Sequence, residues 1–308
     1  MDQGTGLVFI IGTGRCGSTP VQEILSRHPE VGFISNVDSL LARFNLMGRW
    51  NNQLFGTLPH FLNQRERVAH GTVRQTRLHY GPSEGWRLFD KQVSPLFSRP
   101  FRDLTEDDVT PWLENRMHRL FSERIQAQGK PVFLHHLTGW PRTGFLHRIF
   151  PDARFIHVFR DGRAVADSYL RWPLWGGRLG PEGWGFGALP EAYSREWERS
   201  GRSFVALAGL EWKIFMDAFV SARSLIPDDS WIDVRYEDFV EHPRRDLQRL
   251  LDFLDLQWTE EFEERFSDYS LSTTRKQGFR KTLTEPQVEL LEDILRDHLE
   301  RLGYLSGA

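Results

Sequence analysis

The sequence predicts an α/β fold, a central parallel sheet flanked by helices. Three observations carry that expectation. The apolar run Leu7–Ile11 ends at Gly12, and a Gly-rich turn leads from it to a helix start at Thr19-Pro20. A second apolar run, "ARFIHVFR" at 153–160, passes in the same way into "DGRAVADSYLR". Further strand-like runs alternate with helical patterns along the chain, as expected of parallel strands covered on both faces.

Residues 7–12 read as a buried strand. Pro20 suits the first turn of a helix, where its missing N–H is no loss, and "HPE" at 28–30 stops that helix after about Arg27. "VGFI" at 31–34 is a short strand. The stretch 40–130 carries helical patterns at 58–70 and 109–127 among polar loops. "KPVFLHH" at 130–136 is a strand, 141–149 a helix, and 153–160 the second strongest buried strand. Asp161 can cap the helix predicted over 161–171. The Gly-, Trp- and Pro-rich segment "WPLWGGRLGPEGWGFG" at 172–187 is a long irregular loop, a type that often covers a site. A long helix follows at 190–225, then a strand at 230–239 and an amphipathic helix at 243–256. The last helix opens at "TEPQ", where Thr284 and Gln287 have capping-box spacing, and closes at Gly303. The chain is read as one domain, 1–308, with acceptor-side insertions at about 40–130 and 172–190.

The 308 residues carry 40% hydrophobic and 26% charged residues and a net charge of −3, which gives no sign of a nucleic-acid binder. Cys16 is the one cysteine, so an internal disulfide and a Cys-based zinc cluster are both excluded. The first apolar run is far shorter than the roughly 20 residues that span a bilayer, and no basic leader or cleavage site accompanies it. A cytoplasmic protein without a membrane span is expected. Eleven Trp and 23 Phe imply a large aromatic core or an aromatic acceptor pocket.

Ligands of such sheets sit at the carboxyl ends of the strands, where "GTGRCGST" and "RDGRAVADS" both fall. A Gly-rich turn into a helix binds anions through its backbone N–H groups and the helix dipole. Gly12, Gly14 and Gly17 keep this loop bare, Ser18 and Thr19 offer hydroxyls, and Arg15 adds a forked cation. A triphosphate loop has Lys directly after its second glycine, where this chain has Ser18. ATP or GTP chemistry is thereby disfavoured, although Asp161 could imitate the magnesium-binding Asp. A donor with a single 5′-phosphate and no metal requirement fits better. Arg160 and Ser168 lie eight residues apart, across about 10 Å of strand end and helix, close enough to share one anion.

Four segments resemble the sulfotransferases that use 3′-phosphoadenosine 5′-phosphosulfate (PAPS). "GTGRCGSTPVQEILSRHPEV" is similar to their 5′-phosphosulfate loop and "FPDARFIHVFRDGRAVADSY" to their 3′-phosphate motif. "RYEDFVEHP" resembles their "YEDL…P" segment, and "GFRKTLTEPQ" a basic and aromatic segment that closes over the donor. The resemblance implies a P-loop NTPase-like fold around PAPS, with PAP as product and no metal. It implies that Gly14, Arg15, Cys16, Gly17, Ser18 and Thr19 hold the 5′-phosphosulfate, and Arg160 and Ser168 the 3′-phosphate. Tyr236 would contact the nucleoside, and Arg280, or else Arg275 or Lys276, would be the late basic contact. Gly278-Phe279 stands where Lys-Trp is common.

Arg15 would also stabilise charge on the departing phosphate. A general base should take the acceptor's proton. Some relatives carry a Glu about 21 residues after the loop Arg; that count lands here on Asn36, with Asp38 two positions on. Others use a His in a His-Leu pair before the 3′-phosphate strand, and "FLHHLTGW" supplies His135 and His136-Leu137. His136, His135 and Asp38 are the candidate bases. The acceptor is a small molecule, carbohydrate or lipid, and homodimerisation stays open. Two other functions remain: a P-loop kinase or other nucleotide enzyme, and a catalytically inactive sulfotransferase-like binding protein.

Overall fold

The structure, a computed structural model, describes residues 6–57, 66–67, 73–74, 80–267, 269, 271 and 277–305. It begins with β1 (Gly6–Gly12), α1 (Ser18–Leu25), β2 (Val31–Phe33), α2 (Asn36–Leu40) and α3 (Asn51–Thr57). The helical pattern at 58–70 lies outside the described residues, apart from Glu66–Arg67. That pair is a strand, β3, antiparallel to β4 (Val73–Arg74). Next come α4 (Trp86–Gln92), α5 (Pro95–Ser98), α6 (Pro111–Gln128), β5 (Val132–Thr138), α7 (Thr143–Ile149), β6 (Arg154–Phe159) and α8 (Gly162–Leu170).

Two expectations for the following stretch need correction. The helix expected over 190–225 is two helices, α9 (Glu191–Arg199) and α10 (Phe204–Arg223). Gly201 and Arg202 both take positive φ, which no helix continues through, and Ser203 then caps α10 by accepting from Val205 N. The strand expected over 230–239 ends early. β7 covers Trp231–Arg235, and Tyr236 opens α11 (Tyr236–Glu241), whose first turn holds Glu237 and Asp238. Acidic groups there favour the helix through its dipole. The chain finishes with α12 (Pro243–Phe253), α13 (Glu260–Ser267) and α14 (Glu285–Arg301). The last of these starts at the predicted Thr284–Gln287 capping box.

Five parallel strands form the central sheet in the order β2-β5-β1-β6-β7. Strand alternation divides its side chains between two apolar layers. Leu7, Phe9, Ile11, Phe133, Leu137 and Phe155 join a core with α6, α7, α8 and α10. Val8, Ile10, Leu134, Ile156 and Val158 join another with α1, α11, α12 and α13. Among the described residues no helix is long and apolar enough to cross a membrane.

Candidate active site

The carboxyl ends of β1, β5, β6 and β7 lie side by side, and each delivers one part of the site. After β1 the backbone turns through three positive φ values, Gly14 at 81°, Arg15 at 56° and Gly17 at 92°. Alternation of this kind turns successive N–H groups toward one concavity, where an anion can sit. Gly17 is tightly confined: a Cβ there would stand 2.1 Å from the Tyr236 ring at the end of β7. The Tyr169 hydroxyl on α8 fastens the loop from the other side by donating to Thr13 O at 2.5 Å.

Arg15 is exposed, and its Nε donates to Ser168 Oγ on α8 at 2.8 Å. The cation expected on a 5′-phosphosulfate and the hydroxyl expected on a 3′-phosphate therefore meet directly. Arg160, following β6, donates from Nη1 to Arg15 O at 3.3 Å and stacks over the Tyr236 ring, 4.7 Å from its centroid. Trp172, first residue of the irregular loop, sets its ring 5.9 Å from the Arg15 guanidinium. Thr19 is half-buried in the first turn of α1. Cys16 is buried behind the loop, and burial raises its thiol's pKa.

The two histidines of β5 part company because neighbouring strand residues face opposite sides of the sheet. His136, beside Ile10 in the register, places Nε2 2.7 Å from Ser18 Oγ. His135 turns into the aromatic core among Phe9, Phe89 and Phe121, with neither ring nitrogen hydrogen-bonded. Burial pushes its pKa down to about 3, so it stays neutral and enclosed. The structure does not bring His135 to the anion loop.

Asp38 is also occupied elsewhere. Its Oδ2 accepts from Ser35 N at 2.8 Å, Ser35 Oγ at 2.9 Å and Asn51 Nδ2 at 2.5 Å, so the carboxylate caps α2. Arg280 lies in the short helical turn Gly278–Lys281, half-exposed and 3.8 Å from Glu292. Thr282 Oγ1 donates to Asp167 at 2.8 Å and ties that segment to α8 next to Ser168. Arg275 and Lys276 lie outside the described residues.

One group at this edge carries no local sequence signal. Glu84 accepts from Thr138 Oγ1 and from Trp86 Nε1, both at 2.6 Å, and lies 3.8 Å from His136 Nδ1. Its segment is held to the sheet by Ser83 N donating to Ile34 O at 2.8 Å and Asn36 N donating to Gly81 O at 3.0 Å. Arg142, fully enclosed, braces the same corner with bonds to Phe97 O, Trp140 O and Thr138 O. The irregular loop is anchored too: Trp175 and Trp184 are buried, and Trp175 Nε1 donates to Glu211 at 2.6 Å. Trp172, Leu174 and Leu179 of that loop stay exposed.

A family model described as "Sulfotransferase family" matches residues 8–260. Omega-hydroxy-beta-dihydromenaquinone-9 sulfotransferase Stf3 of Mycobacterium bovis is 22% identical over 315 residues, covering 96% of this chain and 75% of the relative. Sulfotransferase STF9 from Mycobacterium avium aligns with a TM-score of 0.57 at 18% identity, over 96% of this chain and 76% of that one. Sulfotransferase STF1 from Mycobacterium tuberculosis H37Rv gives 0.51 at 16% identity, over 95% and 77%. At such identities the two solved structures speak for the fold.

Proposed function

The chain belongs to the sulfotransferase family, and from that premise we propose that it moves a sulfuryl group from PAPS to a hydroxyl or amine of a small acceptor. The observation that most supports this donor is the Arg15 Nε–Ser168 Oγ bond. It joins the loop suited to a 5′-phosphosulfate to the helix suited to a 3′-phosphate, and PAPS carries both groups.

In this reading the loop N–H groups, Arg15, Ser18 and Thr19 bind the phosphosulfate, and Arg160 and Ser168 the 3′-phosphate. Tyr236 supports the nucleoside side, and Arg280 approaches from the C-terminal segment. Sulfur is attacked in line. The acceptor oxygen or nitrogen forms a bond to sulfur as the sulfur–phosphate oxygen bond breaks, and PAP leaves with that electron pair. Arg15 and the loop amides stabilise the charge arriving on the phosphate. The acceptor's proton goes to His136 Nε2. Ser18 has one hydroxyl proton, so donation to a bound phosphosulfate releases the Nε2 lone pair for that task.

The Mycobacterium relative's name specifies a hydroxylated dihydromenaquinone as acceptor. The exposed Trp172 near Arg15, with the exposed Leu174 and Leu179 of the same loop, suits an apolar acceptor of that general kind. Thermal shift tests the donor: PAP should stabilise the protein without magnesium. Stabilisation by ATP with magnesium alone would sink the reading. Mass gain of one sulfuryl group across an acceptor panel then separates an enzyme from an inactive binding protein.

A further inference from the structure

We propose that Glu84 is the positioning residue that makes His136 a base. For its kinetic consequence this rests on the sulfuryl-transfer reading above; for its electrostatic content it does not.

The argument starts with how the carboxylate is held. Residues 80–85 have no helix of their own, yet Pro82 bridges Ser35, and Asn36 Nδ2 donates to Gly81 O at 3.1 Å. Residues 34–36 thus carry the segment to the carboxyl edge of the sheet. There Thr138 and Trp86, from two different elements, each donate to one oxygen of Glu84. A carboxylate fixed at both oxygens presents its charge in one place, and that place is 3.8 Å from His136 Nδ1.

The consequence for the ring follows from electrostatics. A negative charge beside Nδ1 favours the tautomer with its proton on Nδ1, which leaves the lone pair on Nε2, facing Ser18. The same charge favours the imidazolium once Nε2 has taken a proton. Other groups of the described residues flank this pair. Ser18, with Cys16 behind it, approaches Nε2 from the loop. His135 lies next along β5, and the Arg142 guanidinium interacts electrostatically with Glu84. Glu84 is 29% exposed and His136 2%, so the charge stands beside a buried ring.

Two measurements on the full chain test the assignment. Imidazole nitrogen NMR, with His136 identified by its loss in His136→Gln, follows the ring without any donor present. In Glu84→Gln the His136 titration midpoint should fall by about one pH unit and its Nδ1–H tautomer should lose population; Glu84→Asp should restore part of both. An unchanged midpoint and tautomer in Glu84→Gln would overturn the proposal.

The kinetic arm asks whether Glu84→Gln lowers kcat about 10–100-fold while PAP affinity stays within about twofold, with the acidic limb of the pH profile moved down. Parent-like kcat and profile would likewise overturn it. If the parent neither binds PAP nor transfers sulfuryl groups, the donor reading fails, and the NMR comparison still decides the role of Glu84.

Discussion

His136 Nε2 and Ser18 Oγ lie 2.7 Å apart, joining the end of β5 to the first residue of α1. One hydroxyl thus stands between the imidazole and the anion loop. Ser18→Ala should weaken PAP binding about tenfold, the scale of one hydrogen bond to a charged group. Calorimetric titration of both proteins checks it, and equal affinities would mean that the hydroxyl does not reach the nucleotide.

The Arg15–Ser168 bond makes a sharper prediction because the two partners should discriminate between ligands. Ser168→Ala should weaken PAP about tenfold and leave adenosine 5′-monophosphate, which lacks the 3′-phosphate, almost unaffected. Arg15→Ala should weaken both. Arg15→Lys should recover little, because an ammonium cannot reproduce the forked guanidinium donors. Equal losses for the two nucleotides in Ser168→Ala would remove the 3′-phosphate from that helix.

Gly17→Ala tests the loop's geometry. The residue has φ of 92°, and the added methyl would enter the Tyr236 ring at 2.1 Å. Strain and overpacking together should cost on the order of 3 kcal/mol and lower Tm by several degrees. PAP-dependent stabilisation should vanish along with the loop shape. A parent-like Tm would show that Tyr236 can step aside.

Much of this architecture is legible in the sequence because it is local. β1 and β6 are continuous apolar runs followed by Gly-rich or Asp-capped helix starts, and both appear within a residue or so of expectation. The misjudged elements have local causes weaker than the pattern around them. Gly201 and Arg202 break 190–225 into two helices although the apolar periodicity runs on, and β7 stops at Arg235 although Phe239 and Val240 remain apolar. The candidate residues that stand in local motifs, Arg15, Arg160 and Ser168, were legible as patterns, and the fold brings the three together. Glu84 was invisible because its place depends on a long-range bridge from Pro82 to Ser35. His135 and His136 are equivalent in composition, and only the strand's alternation sends one to the loop and the other into a phenylalanine cluster.

Glu211 offers a pH-dependent prediction away from the loop. Its carboxyl lies buried on α10, and that burial pushes its pKa up to about 8, with the Trp175 hydrogen bond pulling the other way. In the unfolded chain the same group releases its proton near 4.5. Between these values the folded protein holds more protons than the unfolded one, so this group makes stability fall as pH rises from about 4.5 to 8. Glu211→Gln keeps an oxygen for the indole N–H and removes the titration. Urea unfolding should therefore find the variant more stable than the parent at pH 8, on the order of 3 kcal/mol, with the advantage shrinking toward pH 5. Glu211→Ala should instead lose stability at pH 5, where it leaves the Trp175 N–H without its acceptor. If parent and Glu211→Gln gave parallel stability curves across this range, Glu211 would be ionised in the fold, and the anchoring of the Trp-rich loop would not depend on pH.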